Sequence, residues 1–177
     1  MSIKTSNVQL AKEIKNKKML IFNYNDIIKS LSFYKQEHIY LKEAIIKENK
    51  INAVFKKFHF PFQIIEPNHL TREQAVLFLT QASYLFVFKF KEINNKWPMS
   101  EDFAIRLAIN EQMAFSNIDI YFKKFIPNKE NVNLEVIFKS FRIIKSKLYI
   151  DMNFFFGKEC FGSMKGICAL DESFSIK

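Results

Sequence analysis

The sequence predicts an α+β fold, an antiparallel curved sheet wrapped around a long buried central helix, with an N-terminal helical extension. Three observations carry this. The stretch "PNHLTREQAVLFLTQASYLFVFKF", residues 67–90, opens with a helix-start signal and then runs apolar on every side. From about Gln112 to Leu170 the apolar residues recur at every second position. A short alternating segment, "NAVFKKFHFP", stands just before the helix. A helix that is apolar all round must be covered all round, and a sheet curved about it supplies that cover.

Each element follows in chain order. Residues 7–20 and 24–49 read as helical. In the second stretch Ile27, Ile28, Leu31, Tyr34, Ile39, Leu41, Ile45 and Ile46 fall at roughly three-to-four spacing. The domain reading is therefore an N-terminal helical extension over 1–50 and one compact sheet-and-helix unit over 51–177. In "NAVFKKFHFP" Val54, Phe58 and Phe60 alternate with polar positions until Pro61 stops the strand. Thr71 and Gln74 have the spacing of a capping box, in which the hydroxyl and the amide satisfy orphan backbone N–H groups. The helix should start near Arg72 and reach about Lys91. It is not a membrane span. The apolar run from Val76 to Phe90 is short of the ~18–20 residues required, and Gln81 sits at its middle.

Beyond "NNKWPMSED" the period becomes two. Val132, Leu134, Val136 and Phe138 share one face, as do Leu148, Ile150, Met152 and Phe154. "IPNKEN", "KSK" and "GKE" are turn chemistry between them. The expectation is three or four antiparallel strands in a meander.

Composition narrows the function classes. The chain has 177 residues, 49% apolar and 25% charged, the proportions of one soluble globular domain. The first twenty residues lack a continuous apolar run, so no secretory signal is expected. Cys160 and Cys168 lie eight apart in one predicted strand, roughly 26 Å at strand rise and too far for a disulfide. A reducing, cytoplasmic location follows. The net charge of +9 invites a nucleic-acid reading, yet only Arg72, Arg106 and Arg142 are arginines among the 27 basic residues. Arginine does most bidentate base and phosphate work, so nucleic acid is set aside and the lysines are read as a solvated surface. A basic rim could still attract an acyl carrier protein or the phosphates of coenzyme A. There is no Gly-rich phosphate loop, Cys/His metal cluster or nucleophile elbow in the sequence, and no cofactor is expected.

A strand, a wholly apolar helix and a run of antiparallel strands together resemble the hotdog fold over roughly residues 52–170. "IDIYFKKFIPNKENVNLEVIFKSFRIIKSKLYIDMNFFFGKECFGSMKGICAL" is similar to the sheet region of hotdog thioesterases and hydroxyacyl dehydratases. Within that class "FHFPFQIIEPNHLTREQAVLFLTQASYLF" resembles FcoT-like long-chain acyl thioesterases: a short polar loop, His69 at its end, Gln81 twelve residues later, and Tyr84. The resemblance departs at Gln63, where that family has Tyr, and at Thr71 and Thr80, where it has Asn. It implies action on fatty acyl thioesters of acyl carrier protein or coenzyme A, by hydrolysis or by conjugate addition to an enoyl thioester. It also implies a homodimer formed by edge pairing of strands. The dehydratases of this fold pair a histidine before the helix with a carboxylate on it. Here no Asp or Glu lies between Glu73 and Lys89, which ranks dehydration lower.

The expected site residues are therefore His69 as base, with Gln81 and Thr71 orienting water, and Gln63, Thr80, Tyr84 and Phe88 against the substrate. Helix-end N–H groups would polarise the thioester carbonyl, and the acyl chain would lie along the helix toward Tyr84 and Phe88. Plain structural roles stand beside these. His69 is equally a loop or capping residue, His59 and His38 read as surface, and Cys160 and Cys168 as small strand residues. Gln81 admits two roles, lining a polar cavity or bonding to neighbouring backbone, because a buried unpaired amide costs about 1–3 kcal/mol. A hotdog protein without catalysis, binding an acyl chain or scaffolding an enzyme, is the second function class.

Overall fold

The computed structural model describes residues 18–57, 68–127 and 131–170. In chain order they form β1 (Met19–Phe22), α1 (Tyr24–Ser30), a 3-10 turn (Gln36–His38), β2 (Leu41–Lys47), β3 (Lys50–Lys56) and α2 (Arg72–Ile93). Next come α3 (Glu101–Ile109), β4 (Met113–Phe122), β5 (Asn131–Ile144), β6 (Lys147–Phe156) and β7 (Cys160–Ala169). The strands make one seven-stranded antiparallel sheet in the order β1-β2-β3-β5-β6-β7-β4. Helix α2 packs against β2, β3, β4 and β5. Its 22 residues rise about 33 Å, which lets the chain leave β3 and re-enter the sheet at its far edge as β4.

The sheet's inner face is the face the alternation predicted. Val132, Leu134, Val136 and Phe138 on β5 are buried, and so are Leu148, Ile150, Met152 and Phe154 on β6. Lys145 and Ser146 turn between those strands with φ of 47° and 59°, the doubly left-handed hairpin turn that matches strand twist. β7 meets its neighbours closely because it carries glycines. A Cβ on Gly166 would come 3.1 Å from the Phe115 ring, and one on Gly162 only 1.8 Å from the Asp119 carbonyl oxygen.

Helix α2 is sealed at both ends. The Thr71 hydroxyl accepts from the Gln74 N–H at 3.3 Å, and the Gln74 side-chain oxygen accepts from the Thr71 N–H at 2.9 Å. Twelve of its residues, from Gln74 to Phe90, are buried. At the far end Trp97 is fully buried against Phe90, Phe138 and Phe141, and its indole N–H donates to the Val87 carbonyl at 3.1 Å. Burying an aromatic side chain of this size contributes about 2–3 kcal/mol, so a tryptophan that reads as loop is part of the core. Helix α3 stands where the sequence pattern had assigned no element. Ser100 caps it, its hydroxyl accepting from the Phe103 N–H.

Three expectations are corrected. Residues 24–49 are not one helix, since only Tyr24–Ser30 is α-helical and Leu41–Lys47 is strand β2. The cause is a β-bulge: the pairing of β2 with β3 shifts between Leu41 and Glu43. The inward residues are then Leu41, Ala44 and Ile46, spaced three and then two, and the first step imitates a helical stripe. The described part of the N-terminal region thus adds two strands to the same sheet as β3. Second, the inward face of β3 is Ile51, Ala53 and Phe55, with Val54 turned outward. Third, the meander is limited to β5-β6-β7. β4 pairs with β7 and is the edge strand, not the first strand of a run of hairpins. Phe58, His59, Phe60, Gln63 and positions 7–17 of the helix expected over 7–20 lie outside the described residues, and Met19 and Leu20 of that range are in β1, not a helix.

Candidate functional site

The entry to α2 is pinned to the segment after β4. His69 forms an antiparallel bridge with Pro127, and the Leu70 N–H donates to the Ile126 carbonyl at 2.7 Å. That ladder holds the His69 side chain half-buried at the helix start. Its ring lies 4.7 Å from the ring of Phe125, a residue 79% exposed. Thr71, two residues on, spends its hydroxyl on the capping box. Glu73 in the first turn bonds its own backbone N–H and the Thr71 side chain, which lowers its carboxyl pKa and keeps it ionised.

Further along α2 the polar residues are committed to structure. The Thr80 hydroxyl donates to the Val76 carbonyl at 2.8 Å, the usual bond of a mid-helix threonine. Gln81 is fully buried and faces the backbone ahead of β2. Its side-chain oxygen accepts from the Tyr40 N–H at 3.0 Å and the Leu41 N–H at 3.2 Å, while its NH2 donates to the His38 carbonyl at 2.6 Å. Of the two roles its burial allowed, the geometry supplies the backbone tie. Ser83, also buried, leaves its hydroxyl without a partner among the described residues.

Tyr84 and Phe88 do come together, in a cluster that sequence reading did not assemble. Tyr84 is half-buried and edge-on to Phe33 at 5.1 Å and Phe115 at 5.0 Å, with Phe88 at 5.7 Å and Tyr34 at 6.4 Å. Its hydroxyl donates to the Met113 carbonyl at 3.4 Å. Burial raises the Tyr84 phenol above its ordinary 10.0, with a smaller push from Cys168. Burial, and then Tyr84 itself, does the same to Tyr34. Both phenols are neutral hydrogen-bonding groups at physiological pH. Val76, Thr80 and Tyr84, with Leu77 beside them, are half-exposed on α2, and Tyr84 meets β4 at Met113 and Phe115. From Thr71 to Tyr84 is about 20 Å of helix. His69 thus stands at one end of α2 and the aromatic cluster well along it, while Gln81 bonds the backbone ahead of β2. Phe33, Tyr34 and Phe115 had no local signal, because only the fold brings three distant segments to one side of α2.

Other concavities lie on the outer surface. A groove of about 610 Å³ crosses the outer sheet face over Ile45, Asn52, Val54, Glu135 and Phe155. A second of about 310 Å³ is lined by Tyr24, Lys42, Lys56 and Asn131, and a third of about 220 Å³ includes Ile126, Pro127, Asn131 and Val132. Among the described residues no His, Cys, Asp or Glu cluster could hold a metal, and no helix is long and apolar enough to cross a membrane.

No family model matches the sequence, and no curated protein matches it in sequence. The likeness is to solved structures. A thioesterase from Haemophilus influenzae superposes with a TM-score of 0.51 at 11% identity, over 87% of this chain and 96% of that one. The dehydratase domain from the CurJ module of curacin polyketide synthase superposes with a TM-score of 0.50 at 10% identity. It covers 90% of this chain but only 53% of that one, so the present chain spans about half its length. The fold is the hotdog fold. Its sheet runs β1-β2-β3-β5-β6-β7-β4, and α2 packs on it against β2, β3, β4 and β5. The Gln81 amide ties α2 to the backbone that leads into β2.

Proposed function

We propose that this hotdog protein binds fatty acyl thioesters and hydrolyses them at the start of α2. The observation that carries the reading is His69. It is a half-buried imidazole held by a backbone ladder at the N-terminus of a buried helix, with half-exposed residues of that helix between it and an aromatic cluster. The thioester carbonyl would lie against the helix start, where backbone N–H groups and partial positive charge stabilise a developing oxyanion. His69 would take a proton from water as the water oxygen attacks the carbonyl carbon, and would return it as the thiolate departs. The acyl chain would follow Val76, Thr80 and Tyr84 toward Phe88. The likeness of the loop and helix to FcoT-like enzymes supports a long chain. Dehydration is disfavoured on chemical grounds. Glu73 is ionised and occupied at the cap, and α2 carries no other acid until Glu92 near its end.

Turnover of a panel of acyl coenzyme A and acyl-pantetheine thioesters, with chain length varied, tests this. His69→Ala should lower kcat by about 10²–10⁴-fold with acyl binding retained. Equal turnover in the variant would remove His69 from the mechanism. One observation favours a second reading, acyl binding without turnover. Thr71, Thr80 and Gln81 are spent on structural bonds, so no described side chain orients the imidazole. Tight acyl binding with no hydrolysis of any chain length would establish that reading instead.

A further inference from the structure

We infer that the pocket between α1, β2, β3 and the start of β5 binds the phosphate of the thioester's carrier. This rests on the acyl-thioester reading and names the part of the substrate that reading leaves unplaced. The cavity of about 310 Å³ is lined by Tyr24, Lys42, Lys56 and Asn131. Lys56 projects its ammonium over the rings of Tyr24 at 5.0 Å and Tyr40 at 5.7 Å and donates to the Tyr24 hydroxyl at 3.2 Å. Lys42 reaches the Asn131 side-chain oxygen at 3.5 Å. Among the described residues neither ammonium is paired with a carboxylate, whereas Lys50 and Lys89 are paired with Glu135 and Glu101. The Tyr24 hydroxyl donates to the Gln36 carbonyl at 3.5 Å and so holds Lys56 in place. Two cations held by neutral partners, in a concavity that also offers an amide, match the array of acceptors on a phosphate ester.

Position supports the assignment. Lys56 and Asn131 are directly paired across β3 and β5. Asn131 also lines the neighbouring cavity of about 220 Å³, whose wall includes Pro127, and Pro127 is the bridge partner of His69. Pro127 and Asn131 are four positions apart in the chain and therefore at most about 14 Å from one another. A phosphate at Lys42 and Lys56 would therefore send its pantetheine arm through the second cavity and deliver the sulfur to His69. Tyr24 and Lys42 belong to α1 and β2, so the pocket is built in part by the first described elements of the chain.

Binding of 4′-phosphopantetheine, pantetheine and coenzyme A to the full chain, followed by calorimetry, tests the pocket without any acyl group or turnover. The phosphorylated compound should bind at least about tenfold more tightly than pantetheine, the effect of one or more charge-assisted bonds. Raising ionic strength should shrink that margin. Lys42→Gln and Lys56→Gln should each erase most of it and leave pantetheine affinity unchanged. Tyr24→Phe, which keeps both charges, should reduce it less. Coenzyme A binding more tightly than phosphopantetheine would identify the free coenzyme as the source, and equal affinity would identify the prosthetic arm of a carrier protein. Equal binding of phosphopantetheine and pantetheine, a margin that survives both lysine substitutions, or no binding of any of the three would overturn the inference. A full phosphate margin with no hydrolysis of any thioester would sink the hydrolase reading alone.

Discussion

Gln81 shows how a single buried amide is spent. Three backbone groups of residues 38–41 bond to it. Gln81→Leu would remove all three of these bonds, so the variant should lose about 3 kcal/mol of stability. Acyl binding per folded molecule should not change. Denaturant titration and ligand affinity on the same variant check this, and weakened binding in a fully stable protein would return Gln81 to the site. The two cysteines make a second prediction at this scale. Burial lifts the Cys160 thiol from 9.0 to about 11 and the Cys168 thiol from 9.0 to about 12. Above pH 9 the unfolded chain sheds thiol protons that the folded chain keeps, so stability falls as pH rises from 9 through 12. Below pH 9 the contribution is complete. Tyr34 and Tyr84, also raised by burial, act in the same direction above pH 10. The urea midpoint should therefore drop between about pH 8 and pH 10.5. The loss should be on the order of 2 kcal/mol from each thiol, and the Cys160→Ala/Cys168→Ala double variant should show a shallower drop.

At the scale of elements, the weakest tolerance is where β4 crosses β7. β4 bulges between Ser116 and Asp119, with Asn117 at φ 48°. The bulge drives the Asp119 carbonyl toward Gly162, where a Cβ would lie 1.8 Å from the oxygen and 2.6 Å from the Phe154 ring. Neither neighbour can yield, since one is backbone and the other is fully buried. Gly162→Ala should cost about 3 kcal/mol, visible as a lowered melting temperature. Gly157→Ala faces open space but retains a φ of 61°, so it should cost about 1 kcal/mol through backbone strain alone. Equal losses at the two sites would show that steric crowding at the bulge is absent.

For the whole molecule the open question is what meets the sheet's edges. β1 is only four residues long, too short to template a partner, whereas β4 has ten and pairs with β7 alone. Beyond its bulge β4 exposes Tyr121 at 58% and Phe122 at 40%, an apolar edge of the kind that association covers. A homodimer paired along the Ile118–Phe122 half would extend the sheet across two subunits and shelter Tyr84 beside β4. Light scattering at micromolar concentration should report twice the chain mass, and Phe122→Lys should return a monomer. A monomeric parent protein would reject the pairing.

Local chemistry was enough to determine much of this protein from sequence. The capping box at Thr71 and Gln74, the all-round apolarity of α2 and the alternation of β5 and β6 are short-range patterns. Each has one physical solution, so helix bounds, buried faces and fold class were all legible in them. Only the tertiary structure decided which partner each polar group found. Gln81 reads equally as ligand contact or tie until β2 is placed beside it. β2 itself was hidden because a bulge gave a strand the spacing of a helix. The same holds for the surface, where Lys56, Tyr24 and Asn131 are ordinary residues far apart in sequence until strand pairing and α1 set them around one cavity. Patterns of burial repeat along the chain and can be read there. Hydrogen-bond and charge partners are set by which segments the sheet brings together, and no local pattern encodes that.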